Sequence, residues 1–191
     1  MRGSGVLEEF IAETKTIMSE HDEPGAIAER VAPIARRVAA DRGWLRPEFY
    51  QANEDQGFNV TVLHEEPDHT LMVSTVCWLP GRGVTPHDHQ TWGVVVGLDG
   101  TERNFEWRRL DDGSKPGYAD IVKQDEMLVG PGDAVTFMPD DIHSVSNSTE
   151  APTLSLHIYG KSLTHVERHE FNPAAKTVGP CPQRARNTVA N

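Results

Sequence analysis

The chain has 191 residues, the size of one ordinary domain, and 37% of them are hydrophobic, which is enough to form a core. Its net charge of −11 argues against nucleic acid or an anionic membrane surface as a partner. The two cysteines, Cys77 and Cys181, lie far apart, and neither a signal-peptide pattern nor an apolar run of about 20 residues is present. We therefore predict a reduced, cytoplasmic protein.

Two amphipathic helices are predicted in the first 50 residues. The first covers residues 4–20, and the second runs from about residue 23 to 42. Pro33 lies inside the second pattern and is expected to kink or split that helix. Residues 1–50 are therefore predicted to form a small helical layer that packs on another part of the molecule.

From about residue 56 the chain is predicted to be β-rich. Glycine, proline, asparagine and aspartate separate the runs, and no helical pattern lies between them. The predicted strands are FNVTVLHE, TLMVSTVCWLP, WGVVVGLDG, TERNFEWRRL, EMLVG, DAVTFMP, HSVSNS and TLSLHIYG. This succession favours an antiparallel sandwich or barrel over residues 51–170, followed by a polar tail over residues 171–191.

Two histidines, His87 and His89, stand one residue apart. Because side chains alternate along a strand, both are expected on one face, where they could chelate one metal ion, while Asp88 faces the other way. Such pairs are also common on protein surfaces. A third histidine, His143, follows a proline turn and opens a later predicted strand.

Three polar side chains alternate on the last predicted strand. Ser155, His157 and Tyr159 share a face and could form a hydrogen-bonded chain. The alternation alone equally allows a solvent-exposed polar face, so it leaves the two interpretations open.

The histidine blocks TPHDHQTWG, at residues 85–93, and GDAVTFMPDDIHSVSN, at residues 132–147, resemble the paired motifs of the cupin superfamily. The resemblance covers about residues 56–162 and implies a mainly β fold, the double-stranded β-helix, with the N-terminal helices added. It also implies that His87, His89 and His143 bind one divalent metal ion. Many metal cupins place a glutamate four or five residues after the second histidine, where this chain has Gly93 and Val94.

With the S-x-H-x-Y-G run at residues 155–160, the sequence resembles the thiol dioxygenases, which are non-haem iron cupins that add both atoms of O2 to a thiol and yield a sulfinate. This resemblance implies one Fe(II) per chain, held by the three histidines. It implies that Ser155, His157 and Tyr159 form a triad beside the metal. The implied partners are a small thiol and O2, with no nucleic acid and no membrane.

Cysteine and arginine positions elsewhere in the sequence indicate which branch of this family the chain resembles. No cysteine follows them at Trp92–Val94, so the cysteine–tyrosine crosslink of mammalian-type cysteine dioxygenase is not expected, and residues 58–64 lack that enzyme's arginine. Arg168 lies nine residues after Tyr159, where the bacterial 3-mercaptopropionate dioxygenases keep an arginine near the carboxylate; Arg82 is a second candidate. The resemblance favours a 3-mercaptopropionate-like substrate, with cysteine and mercaptosuccinate as alternatives.

Two further interpretations stay open. A different metal cupin enzyme, such as an isomerase or a dioxygenase of ring substrates, fits less well because the glutamate is absent and the S-x-H-x-Y run is present. A non-catalytic metal-binding cupin that senses a small acid would not need three histidines together with a tyrosine triad.

Overall fold

The structure, a computed structural model, describes residues 3–188. It begins with the two predicted helices, α1 at Gly3–Glu20 and α2 at Pro24–Ala40, and a short 3-10 helix follows at Pro47–Tyr50. Pro33 does not split α2, which continues unbroken through it. No helix within the described residues is long and apolar enough to cross a membrane.

The apolar stripe of α2 explains why the helices form a layer. Ile27, Val31, Ile34 and Val38 recur at helical spacing and are all buried. They pack with Phe10 of α1 against Val94, Val96, Leu154 and Leu156 of one sheet. The helices therefore cover the outside of the barrel and leave its inside to other residues.

In the part of the chain that the structure describes, twelve strands form two six-stranded sheets. The strands are β1 Phe58–Glu65, β2 Met72–Trp78, β3 Gly83–His87, β4 Gly93–Asp99, β5 Glu102–Arg109, β6 Ile121–Val129, β7 Ala134–Phe137, β8 Ile142–Ser146, β9 Thr153–Tyr159, β10 His169–Asn172, β11 Thr177–Pro180 and β12 Arg186–Thr188. One sheet has the order β12-β1-β2-β9-β4-β7, and the other has the order β11-β10-β3-β8-β5-β6. This is the mainly β architecture with N-terminal helices that the sequence predicts.

The strands β10, β11 and β12 are not predicted by the sequence pattern. The third of them, β12, has only three residues and pairs with β1 in parallel, which no local signal encodes. The Gln56 side chain accepts a hydrogen bond from Ala185 N at 2.9 Å and donates one to Ala185 O at 3.2 Å. Part of the predicted polar tail is therefore folded against the barrel; residues 189–191 lie outside the described part of the chain.

Candidate active site

Three histidines meet inside the barrel. His87 ends β3 and pairs in register with His143 of β8, while His89 lies two residues beyond the end of β3. Their ligand atoms all lie within 4.8 Å of one another, and all three residues are buried. The predicted strand thus stops at His87, but the two side chains still converge, with ring centroids 5.0 Å apart.

The hydrogen bonds of these histidines leave nitrogen lone pairs free. His87 Nδ1 lies 2.9 Å from the carbonyl oxygen of Thr85, which can only accept, so Nδ1 carries the hydrogen and Nε2 does not. Within residues 3–188, His89 Nδ1 and both ring nitrogens of His143 have no hydrogen-bond partner. Buried polar atoms without partners are rare, and a metal ion would satisfy them.

The same histidines are held in their neutral form. Burial lowers the pKa of His87 to about 4 against the opposing effect of the Thr85 carbonyl. Burial also holds the pKa of His89 and His143 well below the ordinary value, and the positive charge of Arg168 adds to the effect. Neutral imidazole is the form that binds metals, so the cluster needs no deprotonation at neutral pH.

Asp88 faces away from the cluster, as its position between the two histidines predicts. Its carboxylate accepts hydrogen bonds from His169 N at 2.7 Å and His169 Nδ1 at 2.8 Å. Asp88 N donates to His169 O, so side chain and backbone both tie β10 to the histidine loop. This attachment fixes the position of the neighbouring Arg168.

The structure brings only one of the two candidate arginines to the histidines. Arg168 lines the same cavity, and its charge acts on the pKa of His87, His143 and Tyr159. Within residues 3–188, it forms no salt bridge with an acidic side chain. Arg82 instead donates to the carbonyl oxygens of residues 54 and 55, at 3.1 and 3.0 Å, and does not line the cavity.

Ser155, His157 and Tyr159 form a continuous hydrogen-bonded chain on β9. Ser155 Oγ lies 2.9 Å from His157 Nε2, and His157 Nδ1 lies 2.9 Å from the Tyr159 hydroxyl. All three are buried, so the alternative of a solvent-exposed polar face is wrong. The hydrogen-bonded chain ends beside the three histidines, where the rings of Tyr159 and His89 have centroids 4.7 Å apart.

Burial also sets the protonation of this chain. It lowers the pKa of His157 to about 3 and raises the pKa of Tyr159 well above its usual range. At neutral pH His157 is therefore neutral, with one nitrogen that donates and one that accepts. Tyr159 keeps its hydroxyl hydrogen and can donate it.

Gly93 accounts for the close packing of Tyr159. A Cβ at this position would lie 2.9 Å from Tyr159 Cε1, closer than side chains approach each other. The glycine therefore lets the tyrosine ring lie against the backbone of β4. No thiol is available at this position, so the absence of a cysteine–tyrosine crosslink stays a prediction from the sequence.

The cavity between these groups has a volume of about 100 Å³. One wall is apolar and is formed by Phe58, Val76, Trp78, Val145 and Leu163. The C-terminal segment adds Cys181, Gln183, Arg184 and Arg186 at the opening. The sequence interpretation missed this segment, because these residues have no motif and reach the cavity only through the pairing of β10–β12.

The sequence matches one family model. Residues 55–172 match the model described as cysteine dioxygenase type I. The chain belongs to this family. Family membership implies a dioxygenase, and the buried histidines His87, His89 and His143 provide a site that can hold the metal of such an enzyme. Among curated proteins, no sequence match is found.

Three solved structures are similar to this chain at low sequence identity. An uncharacterized conserved protein with a double-stranded β-helix domain from Klebsiella pneumoniae is 14% identical, with a TM-score of 0.47, over 69% of this chain and 93% of that one. Oxalate oxidase in complex with glycolate is 17% identical, with a TM-score of 0.46, over 64% of this chain and 63% of that one. The cupin domain of an XRE family transcriptional regulator from Enterobacter cloacae is 20% identical, with a TM-score of 0.39, over 55% of this chain and 96% of that one. The predicted mainly β fold with an N-terminal helical layer is confirmed by the two sheets and two helices of the structure itself.

Proposed function

We propose that the protein is a non-haem iron thiol dioxygenase that converts a small thiol carboxylate, of the 3-mercaptopropionate type, and O2 to the sulfinate. The observation that carries the proposal is the meeting of three unlike groups in one cavity. Neutral histidines that can hold a metal, a tyrosine hydroxyl and an arginine without a salt bridge all line it. The histidines would hold the metal that binds the thiol sulfur, Tyr159 could donate a hydrogen bond to the reactants, and Arg168 could bind the substrate carboxylate.

The donor set supports a metal with open positions. His87, His89 and His143 supply three neutral nitrogens and no carboxylate, so a divalent ion would keep its full charge and favour anionic ligands such as a thiolate. Iron is the metal that the family implies. When bound, it would supply the redox chemistry with O2 and lower the pKa of a coordinated thiol.

Arg168 is proposed to bind the substrate carboxylate. Its planar guanidinium can donate two parallel hydrogen bonds to one carboxylate, and a pairing of this kind fixes orientation as well as position. Arg168 and the histidines line the same cavity, whose volume of about 100 Å³ suits a small thiol. The other two arginines at the opening are already paired, Arg184 with Glu170 and Arg186 with Glu65. Among the described residues, Arg168 is therefore the one cavity arginine without an acidic partner, which favours a substrate with a single carboxylate.

Tyr159 is proposed to act on the reactants directly. Its hydroxyl lies at the histidine end of the chain and can donate to the substrate carboxylate or to oxygen. His157 and Ser155 would orient it, because each can hold the next group in a fixed hydrogen-bond direction. The apolar wall would keep water away from these hydrogen bonds and so strengthen them.

Oxygen uptake by the iron-loaded protein tests the proposal. The protein is offered 3-mercaptopropionate, cysteine and mercaptosuccinate in parallel, and the product is identified by mass. We expect uptake that is fastest with 3-mercaptopropionate, matched by its sulfinate and lost in His87→Ala. Faster uptake with cysteine or mercaptosuccinate would correct the substrate, and no uptake with any thiol, in protein shown to hold iron, would contradict the reaction.

A further inference from the structure

A buried carboxyl lies at the far end of the Ser155–His157–Tyr159 chain. Glu102 opens β5 of the second sheet, and its side chain contacts Thr153 at the start of β9 in the first sheet. Glu102 Oε1 accepts a hydrogen bond from Thr153 Oγ1 at 3.2 Å. Only 2% of Glu102 is exposed, and within residues 3–188 its Oε2 has no hydrogen-bond partner.

Ser155 connects this carboxyl to the chain. Its hydroxyl interacts with the Glu102 carboxyl and stabilises the charged form, while burial acts more strongly and raises the pKa of Glu102 to about 7. The same hydroxyl lies 2.9 Å from His157 Nε2. A hydroxyl has one hydrogen to donate, so Ser155 can donate to Glu102 or to His157, but not to both.

The protonation of Glu102 therefore determines the direction of every hydrogen bond in the chain. An ionised carboxylate only accepts, so Ser155 would donate to it, His157 Nε2–H would donate to Ser155, and the Tyr159 hydroxyl would donate to His157 Nδ1. A protonated carboxyl can donate to Ser155, which then donates to Nε2. His157 carries its hydrogen on Nδ1 and donates to Tyr159, whose hydroxyl hydrogen is free for the cavity.

The two arrangements differ by one proton, which resides on Glu102. His157 is neutral in both and changes only its tautomer. We propose that Glu102 is a positioning residue for the proposed reaction, which in its protonated form turns the Tyr159 hydroxyl toward the substrate through Ser155 and His157. The effect of Glu102 on the direction of the Tyr159 hydroxyl does not depend on the proposed function. The consequence of that direction for turnover rests on the proposed function.

The surroundings of Glu102 leave the chain as its main electrostatic partner. On β6 the residue paired with Glu102 is Val129. The titratable groups that the charge of Glu102 affects are Cys77 on β2 and Tyr159 on β9, and it raises the pKa of both. Burial keeps the pKa of Cys77 above its ordinary range, so this thiol stays neutral near pH 7. His87 also acts on the pKa of His157, so the part of a pH-dependent change in His157 that is lost in Glu102→Gln reports on Glu102.

Nitrogen NMR of the histidine side chains tests the inference without an activity assay. The full chain is labelled with ¹⁵N and loaded with Zn(II), which is diamagnetic, and the His157 signals are assigned with His157→Gln. We expect the His157 hydrogen to move from Nδ1 to Nε2 as the pH rises from 6 to 8.5. In Glu102→Gln, which cannot ionise, the position of the His157 hydrogen should not change over this pH range. Glu106→Gln, the same change at an exposed position of β5, should behave like the wild type.

Kinetics supply the functional readout. The ratio of kcat in the wild type to kcat in Glu102→Gln removes effects that both share, such as ionisation of the substrate thiol. We expect this ratio to fall about tenfold between pH 6 and 8.5, since the donating form of Tyr159 is lost only in the wild type. A His157 tautomer independent of pH and of Glu102→Gln would overturn the inference. A tautomer change in a protein without thiol oxidation would contradict the proposed function alone.

Discussion

Within residues 3–188 the molecule has two clusters of three possible metal ligands, which share their close spacing but differ in burial and hydrogen bonding. Both His87, His89 and His143 and the surface group Glu65, His69 and His165 have their ligand atoms within 4.8 Å of one another. The first cluster is buried inside the barrel, and the second is partly exposed. Distance alone therefore does not define a metal site.

The surface cluster is already satisfied by protein contacts. His69 Nδ1 lies 2.8 Å from Glu65, and His165 Nδ1 lies 3.0 Å from Thr164 Oγ1. Arg186 forms an ion pair of 2.9 Å with Glu65, and its positive charge opposes a cation there. In the barrel cluster, by contrast, three ring nitrogens have no partner among the described residues. Buried nitrogens without hydrogen-bond partners therefore distinguish a site that can hold a metal ion better than close spacing of the ligand atoms does.

The largest expected effect separates these two clusters. Loss of a hydrogen bond that supports a metal ligand weakens metal binding by up to about 100-fold. Because His143→Ala removes a ligand itself, it should weaken metal binding by more than that and should abolish activity. His165→Ala should retain both. Metal content per chain after gel filtration measures the difference. Normal metal content in His143→Ala, or its loss in His165→Ala, would reverse our assignment of the site.

The carboxylates of the two regions extend the comparison to stability. Burial tends to raise the pKa of Glu65, but hydrogen bonds from Ser162 and His69 and the charge of Arg186 outweigh it, so the pKa is lowered. Burial raises the pKa of Glu102 from 4.5 to about 7, and the groups within residues 3–188 that oppose this shift, Ser155 and Thr153, are neutral.

This contrast predicts a pH-dependent effect of Glu102→Gln. A carboxyl whose pKa is higher in the folded state lowers stability as the pH rises from about 4.5 to about 7, because the unfolded state releases its proton first. Relative to the wild type, Glu102→Gln should therefore gain on the order of 3 kcal/mol in free energy of unfolding between pH 4.5 and pH 8. Urea unfolding at both pH values measures this gain, and an equal difference at both would be inconsistent with a raised pKa.

Arg168 and Arg82 offer a second contrast, because Arg168 lines the cavity while Arg82 donates hydrogen bonds to backbone carbonyls elsewhere. Arg168→Ala should lower kcat/KM about 10- to 100-fold, mainly through KM, since a hydrogen bond to a charged group contributes about 1.5–3 kcal/mol. Arg82→Ala should leave kcat/KM within about twofold, because Arg82 donates to backbone carbonyls away from the cavity. Steady-state kinetics with the best thiol compare the variants, and a larger loss in Arg82→Ala would move the carboxylate site.

The smallest expected effect concerns Tyr159, whose ring centroid lies 4.7 Å from that of His89. Gly93→Ala would place a methyl group against the tyrosine ring and push it from its position. We expect kcat to fall about tenfold while metal content stays unchanged, since small displacements of a reacting group are costly. Gly5→Ala, where a Cβ meets nothing within 4 Å, is the matched control. Unchanged turnover in Gly93→Ala would mean that the tyrosine position is not critical.

Local patterns in the sequence predict much of the barrel but not its closure. The alternation of Ser155, His157 and Tyr159 and the spacing of His87 and His89 are visible as strand patterns. The structure brings four of these side chains to one cavity, and the fifth, Ser155, lies behind His157 at 2.9 Å. The pairing of β12 with β1 joins segments more than 120 residues apart, and no period or turn residue encodes such a contact.

Glu102 shows the same limit at the level of one side chain. In the run TERNFEWRR it is one charged residue among several, and alternation does not distinguish a buried glutamate from its exposed neighbours. Its importance arises from β9 on the opposite sheet, which only the folded barrel brings near. Helix α2 gives the converse case, because its tertiary packing tolerates a proline that the local pattern predicts to be disruptive.

Isotope incorporation tests the central claim most directly. The iron-loaded protein is supplied with 3-mercaptopropionate under ¹⁸O2, with His143→Ala treated in the same way, and the product is analysed by mass. Our account predicts a sulfinate that carries both labelled oxygen atoms, formed in proportion to the O2 consumed and absent in the variant. A disulfide without label, or a sulfinate formed equally by His143→Ala, would contradict it.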